Sequence, residues 1–328
     1  MAGTAESVLS ATVSYNSIRS SKNSMSPDTF TLHATCIVWD CILRLWADDV
    51  YLPQLLHRFW KLCLQLCSRY QHWCRTSLKQ VWSVVTVNET AHSPEAENAQ
   101  RLEFLVGLHT DIEKLSTKMS NFTTEVIPDK LIIFSPRAID LVNDCLKDTM
   151  KNFEDLLPLV TQEIISELLS PGLIHLRQIS DIPRLFRRTN RDEPTKPCPY
   201  VKRALDFLCT FHADYRSVVP NNVNSWLVHA LTSLTQQYLS LVKDVLISVQ
   251  KTEESLRRLK KIRDKSAGVS TSESQVISDD EKIRIQLLID VKSYIELIKD
   301  WGIAQSDIQN LNELLDVVVT ATKNKREP

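Results

Sequence analysis

LPQLLHRFWKLCLQLCSRYQHWC occupies residues 52–74, and its spacing decides the fold class. Leu52, Leu56, Phe59, Cys63, Leu66, Tyr70 and Trp73 follow one another in alternating steps of four and three. Side chains at those steps share one face of an α-helix, whereas a half-buried strand repeats its apolar residues at every second position. Trp60, Leu64 and Cys67 lie off that stripe, which predicts a helix covered on more than one side. Pro53 fits its first turn, where the missing N–H has no intrahelical partner to lose.

The same periodicity recurs outward from this stretch. Helices are predicted over 32–47, about 100–122, about 137–170, near 199–213 and 222–263, about 280–300 and 306–319. In the 137–170 stretch Ser135 is a candidate cap and Pro136 the first helical residue. Its stripe is Ile139, Val142, Leu146, Met150, Phe153, Leu157, Val160, Ile164 and Leu168, and Pro158 inside it predicts a break near residue 157. The 222–263 stretch repeats Val242, Val245, Val249, Thr252, Leu256 and Leu259, with Glu253–Arg257 and Glu254–Arg258 as pairs one turn apart. Its end is basic, matching the helix dipole. Ile283, Leu287, Val291, Tyr294 and Ile298 form the next stripe, which Gly302 can end in a left-handed cap with Ile303 folding back. Ser306 or Asp307 is expected to cap the last helix.

Only 5 of the 328 residues are glycine. Hairpins, phosphate loops and βα turns consume glycine because it alone reaches positive φ cheaply. The expected class is therefore all-α, with seven to ten helices and no 20–50-residue sequence repeat. Boundaries are placed at a flexible lead-in over 1–30, a helical module over 31–82, a linker over 83–100, a helical bundle over 101–265, a polar linker over 266–280, a helical hairpin over 281–320 and a flexible tail over 321–328.

Apolar residues at 43%, charged residues at 24% and a net charge of -1 are ordinary for a globular protein and give no global field toward nucleic acid. The seven tryptophans accompany aliphatics and no basic stripe, so they read as core. The longest uncharged run, 217–242, carries asparagines, glutamines, a histidine and a proline, and reads as a buried helix with a polar shoulder. MAGTAESVLSATVS has no basic n-region or apolar core of a secretory signal, so free thiols in a reducing compartment are expected. Of the eight cysteines, Cys36, Cys41, Cys63, Cys67 and Cys74 read as small buried hydrophobes. Cys63 and Cys67 share a helix face, but a zinc site would need donors from a second element, with His57 and His72 nearest in sequence. Asp48 and Asp49 read as a helix-end or solvated pair. No Gly-rich phosphate loop, GxSxG elbow or HExxH motif is present, so no catalytic residue, metal or cofactor is assigned.

One basic cluster stands apart. In DIPRLFRRTNRDEPTK, residues 181–196, Arg184, Arg187, Arg188 and Arg191 are candidate partner-binding residues. Guanidinium forks suit carboxylates and phosphates alike, so a protein partner and lipid phosphate both remain open. So does local pairing with Asp181, Asp192 and Glu193. Arginine stays protonated, which argues against acid–base chemistry.

Four ordered blocks carry a family resemblance: LWADDVYLPQLLHRFWKLCLQLCSRY at 45–70, DIPRLFRRTNRDEPTKPCPYVKRAL at 181–205, VLISVQKTEESLRRLKK at 245–261, and DDEKIRIQLLIDV at 279–291 with GIAQSDI at 302–308. Over roughly residues 31–320 the chain resembles the C-terminal region of subunit 2 of the conserved oligomeric Golgi complex. The resemblance implies elongated, stacked helical bundles, and a peripheral, non-enzymatic place on the cytosolic face of the Golgi membrane or in the cytoplasm. It implies vesicle tethering in retrograde intra-Golgi transport. It implies as partners the other subunits of the complex, and trafficking proteins such as SNAREs, Rab GTPases or coiled-coil tethers, with indirect membrane association and no nucleic acid. A helical adaptor that binds membrane directly is the alternative. A full subunit of that family is more than twice this length, with a coiled-coil-forming N-terminal half that residues 1–30 do not match. A truncated product or a short isoform is the expectation that follows.

Overall fold

The computed structural model describes residues 29–80, 94–131, 136–187, 189, 191–267 and 277–323. Among them are eleven α-helices and no sheet: α1 His33–Leu45, α2 Leu56–Gln80, α3 Pro94–Glu125, α4 Ile127–Leu131, α5 Pro136–Glu154, α6 Leu157–Leu176, α7 Ile182–Phe186, α8 Pro199–Tyr215, α9 Pro220–Ala267, α10 Asp279–Lys299 and α11 Leu311–Lys323. The chain forms two compact units, residues 1–164 and 165–328, with the division inside α6.

In the first unit α2 packs on α1 and α5, and α3 packs on α1, α4 and α5. Leu56, Cys63 and Tyr70 of the expected stripe are buried in α2, and burial of the off-stripe Trp60 and Cys67 matches a helix covered on more than one side. Leu56, Trp60, Cys63, Cys67, Tyr70, Cys74 and Leu78 are buried, whereas Leu52 is 53% exposed and Phe59, Leu66 and Trp73 are half-buried. Steps of four and three survive, but three thiols form the spine. A small side chain lets a neighbouring helix approach closely, and the larger residues then close the flanks. Trp46 meets Tyr51 at 5.2 Å and Trp60 at 5.9 Å between ring centroids, sealing one end of this core. Asp48, in the turn after α1, pairs with Lys130, whose hydrogen bond and then charge hold that carboxyl below its usual value.

The Pro158 break is observed. α5 stops at Glu154, α6 restarts at Leu157, and Pro158 occupies the first turn, where its missing N–H costs nothing. Val142, Leu146, Phe153, Val160, Ile164 and Leu168 of the expected stripe are buried, and Leu156 replaces Leu157 at the break. The Ser135 cap and Trp82 lie outside the described residues.

In the second unit α9 packs on α8, α10 and α11, while α10 packs on α7, α8 and α11. The uncharged run is the buried half of α9: Trp226, Leu227, Leu231, Leu234, Tyr238 and Val242 are all within 2% of full burial. Gly172 on α6 sits where a Cβ would meet the Ala204 carbonyl oxygen at 2.8 Å and Leu234 at 3.1 Å, so this crossing admits only hydrogen at that position. The five stripe residues of α10 are each wholly buried. Gly302 ends that helix at φ +73, and Ile303 folds back to 9% exposure, as the sequence predicts.

Two expectations are corrected here. Neither Ser306 nor Asp307 caps the last helix. Residues Gln305–Asp307 make a single 3-10 turn, Ile308 turns inward on extended backbone to 3% exposure, and Asn310 takes φ 64 before α11 begins. Burying Ile308 requires that extension, and asparagine tolerates the left-handed conformation that follows. Glu253 pairs with Arg257 at 3.0 Å as expected, but Glu254 accepts from Gln250 at 3.3 Å rather than from Arg258.

Candidate functional site

The arginine-bearing segment takes in α7, with Arg184 inside it, and the chain that leads from there to α8. Ile182 and Phe186 anchor α7 in the core, and residues 191–198 then run without helix to Pro199. Extended chain has no internal partners for its backbone polar groups, so they must be met from elsewhere. One face of α10 supplies them. Lys282, Gln286 and Asp290 recur at four-residue steps and therefore line up along that helix. Lys282 Nζ donates to the Arg191 carbonyl at 2.6 Å, and Gln286 Nε2 donates to the Lys196 carbonyl at 3.0 Å. Asp290 Oδ1 accepts the Cys198 N–H at 2.7 Å and Gln286 Nε2 at 2.8 Å, while Oδ2 accepts the Tyr200 hydroxyl at 2.9 Å.

Asp290 thereby caps α8 from a distance of 92 residues along the chain. Cys198, the cap residue, gives α8 no side-chain hydrogen bond, and Pro199 has no N–H. A carboxylate there satisfies an orphan donor and faces the positive end of the helix dipole. Burial pushes the Asp290 carboxyl above its ordinary value, with its donors acting in the opposite sense. Burial, then the nearby Asp290 charge, pushes the Cys198 thiol up to about 12. The network continues inward: the Tyr200 and Tyr238 hydroxyls lie 3.1 Å apart, and Thr235 meets the Tyr294 hydroxyl at 3.0 Å.

The first unit repeats the device. Asp111 of α3, fully buried, accepts the Thr31 and Leu32 N–H groups at 2.7 Å each, where α1 begins without a side-chain cap of its own. Burial again raises this carboxyl above its ordinary value.

The candidate arginines do not act as one group. Arg184 is exposed and lies 3.6 Å from Asp181. Arg187 is half-buried, its Nη2 at 3.6 Å from Asp280 Oδ1 at the start of α10. Arg191 is exposed and contributes its carbonyl to Lys282. The Arg188 side chain lies outside the described residues. Asp192 and Glu193 are exposed. Lys282, Gln286 and Asp290 escaped sequence reasoning, although an aspartate beside the apolar stripe Ile283–Leu287–Val291 is itself a signal of a buried carboxylate with remote donors.

A cleft of about 430 Å³ is lined by His212, Arg216, Pro220, Val223, Asn224, Asp300, Trp301 and Gly302, none of them a hydroxyl, thiol or amine nucleophile. Burial, then Arg216, lowers the His212 value. All eight cysteines are free; Cys63, Cys67 and Cys74 are buried, Cys36 and Cys41 half-buried, and Cys209 exposed. The Cys63 sulfur and burial both push the Cys67 thiol up. His57 and His72, the donors considered for zinc, are exposed, and no group of three or more His, Cys, Asp or Glu side chains among the described residues is arranged to hold a metal ion. No helix among the described residues is long and apolar enough to cross a membrane.

Comparison with known proteins bears on these blocks directly. Residues 1–291 match the family described as COG complex component, COG2, C-terminal. The match starts thirty residues before the resemblance drawn from the four blocks and stops short of residue 320. Conserved oligomeric Golgi complex subunit 2 of Homo sapiens is 30% identical over 317 residues, covering 89% of this chain and 43% of its own length. The Drosophila melanogaster protein of the same name is 31% identical over 312 residues, covering 93% of this chain and 42% of its own. The Arabidopsis thaliana one is 27% identical over 276 residues, covering 82% and 36%. The chain thus spans about two-fifths of the length of these relatives. No solved structure matches.

Proposed function

The chain belongs to the conserved oligomeric Golgi complex subunit 2 family, in its C-terminal region, and from that premise we propose a non-enzymatic, structural role in a Golgi vesicle-tethering complex. The family match over residues 1–291 carries this reading. The geometry supports it: the two resemblance blocks 181–205 and 279–291 are the two sides of one bonded network, in which α10 holds the arginine segment in a fixed shape. Helical faces and a braced, exposed segment recognise proteins, and no reacting group is needed. The work is retrograde intra-Golgi transport, on the cytosolic face of Golgi membranes as a peripheral component and in the cytoplasm. The partners are the other subunits of that complex, with SNAREs, Rab GTPases or coiled-coil tethers as candidates for transient contacts. Arg184 and Arg191, both exposed, face such a partner, whereas Arg187 is committed to Asp280.

A chimera tests the role. The C-terminal region of the human relative is replaced by this chain in cells lacking subunit 2. Restored retention of Golgi glycosylation enzymes is expected. A well-expressed chimera that restores none of it overturns the reading. Lipid flotation separates the alternative: the purified chain alone is expected to stay with the soluble fraction, and flotation with protein-free vesicles favours a direct membrane adaptor.

A further inference from the structure

The seam of α9 outlives its partners. Val242, Val245, Val249, Thr252, Leu256 and Leu259 keep steps of three and four throughout, yet Val242 and Val249 are fully buried while Leu256 is 54% exposed and Leu259 63%. Ile262, three residues on, is 68% exposed. The neighbouring helices explain the change. α10 runs antiparallel to α9, pairing Arg284 with Glu253 at 2.9 Å and Tyr294 with Thr235 at 3.0 Å. It begins at Asp279, five residues and so about 7 Å beyond Arg284. α11 runs parallel to α9, with Glu313 against Lys243 at 2.7 Å, and its C-terminal half faces a groove that Arg257 closes at the far end. Past Arg257 neither helix continues beside α9, which projects to Ala267.

We propose that this projecting end of α9 is a docking site for an acidic amphipathic helix of a partner protein, packed in coiled-coil fashion along Leu256, Leu259 and Ile262. From Val242 to Leu259 the steps average about 3.4 residues, close to the repeat that keeps a narrow seam facing a second helix, with Ile262 on its flank, and the same seam is fully buried at Val249, two turns before Leu256. Charge selects the partner. From residue 258 to 267 the sequence carries five basic residues, Arg258, Lys260, Lys261, Arg263 and Lys265, against the single acid Asp264. Carboxylates flanking the partner's seam complement that end, whereas a second copy of this chain would bring like charges together. A lipid surface fits less well. Interfacial helices carry a broad apolar face with aromatic residues, and residues 252–267 contain none.

The surface deepens the protein-recognition role proposed above. Its test uses purified chain, so that failure here leaves the chimera experiment untouched. Two synthetic three-heptad peptides are the probes, both with leucine at the seam positions, one with glutamate and one with lysine on the flanks. Fluorescence anisotropy with the full chain is expected to detect the glutamate peptide, to weaken as salt rises, and to give at least about tenfold weaker binding of the lysine peptide. Leu256→Ser with Leu259→Ser should weaken the glutamate peptide by about tenfold or more at an unchanged unfolding transition. Ile262→Ser, at the most exposed of the three positions, provides a second and milder variant with the same direction of effect. Equal binding of both peptides, no binding of the glutamate peptide, or full binding by the variants overturns the proposal. So does leucine-dependent binding to phosphatidylserine vesicles, or leucine-dependent self-association in sedimentation, without capture of the glutamate peptide.

Discussion

Replacing Asp290 with alanine removes the acceptor for three donors at once, and the cost can be worked from where those donors go. Gln286 Nε2 keeps the Lys196 carbonyl, and the Tyr200 hydroxyl keeps that of Tyr238. The Cys198 N–H is left without its 2.7 Å acceptor at the start of α8. An orphaned buried donor costs about 1–3 kcal/mol, and the charge-assisted character of the lost bonds adds to it, while relief of the buried carboxylate offsets part. A net local loss of about 2–3 kcal/mol is expected, which is about a 30- to 150-fold rise in the opening equilibrium of the segment. Hydrogen exchange at the Cys198 amide reads that opening directly, and trypsin cleavage after Arg191 reads it independently. Asp290→Asn, which keeps an oxygen for Cys198, should lose no more than about 1 kcal/mol. Exchange at Cys198 unchanged in the alanine variant would refute the view that Asp290 holds the segment to α10.

Gly172→Ala should destabilise the second unit by about 1–3 kcal/mol, seen as a lower denaturant midpoint, because its Cβ would meet the Ala204 carbonyl oxygen at 2.8 Å. Iodoacetamide should label Cys209 in the native chain and reach Cys63, Cys67 and Cys74 only in denaturant, followed by peptide mapping. The buried carboxyls Asp111 and Asp290 have folded values raised above the unfolded one, so between the two values the native state binds more protons. Their contribution is fully present below the unfolded value and is lost as pH rises through the folded value. Denaturant midpoints of the wild type and of Asp290→Asn across that acidic window should therefore converge as pH rises; parallel curves would contradict the assignment.

Much of the helical layout was legible because its signals are local. Pro158 breaks the pattern at the expected place since proline cannot supply the N–H that a continuing helix needs, and Gly302 ends α10 because it alone takes positive φ there without strain. In α2, Leu56, Cys63, Tyr70 and the covered second side at Trp60 and Cys67 were legible, whereas Phe59, Leu66 and Trp73 are only half-buried. Weighing Phe59, Leu66 and Trp73 as the natural core residues ignores how close a neighbouring helix comes, and close approach favours Cys67 and Cys74. The start of α11 was misplaced because Ile308 is drawn into the core by tertiary packing that a local cap motif does not report. The arginines of 181–196 are legible as charges, but the residues that hold the segment, Lys282, Gln286 and Asp290, lie about ninety positions away and act on backbone groups that carry no sequence signature.

Co-purification tests the central claim most directly. The tagged chain is expressed in cells whose own subunit 2 is present, recovered from detergent-free cytosol and from membranes, and its companions are identified by mass spectrometry. A helical protein-recognition segment of a Golgi tether predicts recovery with other subunits of the conserved oligomeric Golgi complex, diminished when Arg184 and Arg191 are both changed to alanine while the fold persists. A folded chain that emerges with none of those subunits from either fraction would contradict the account.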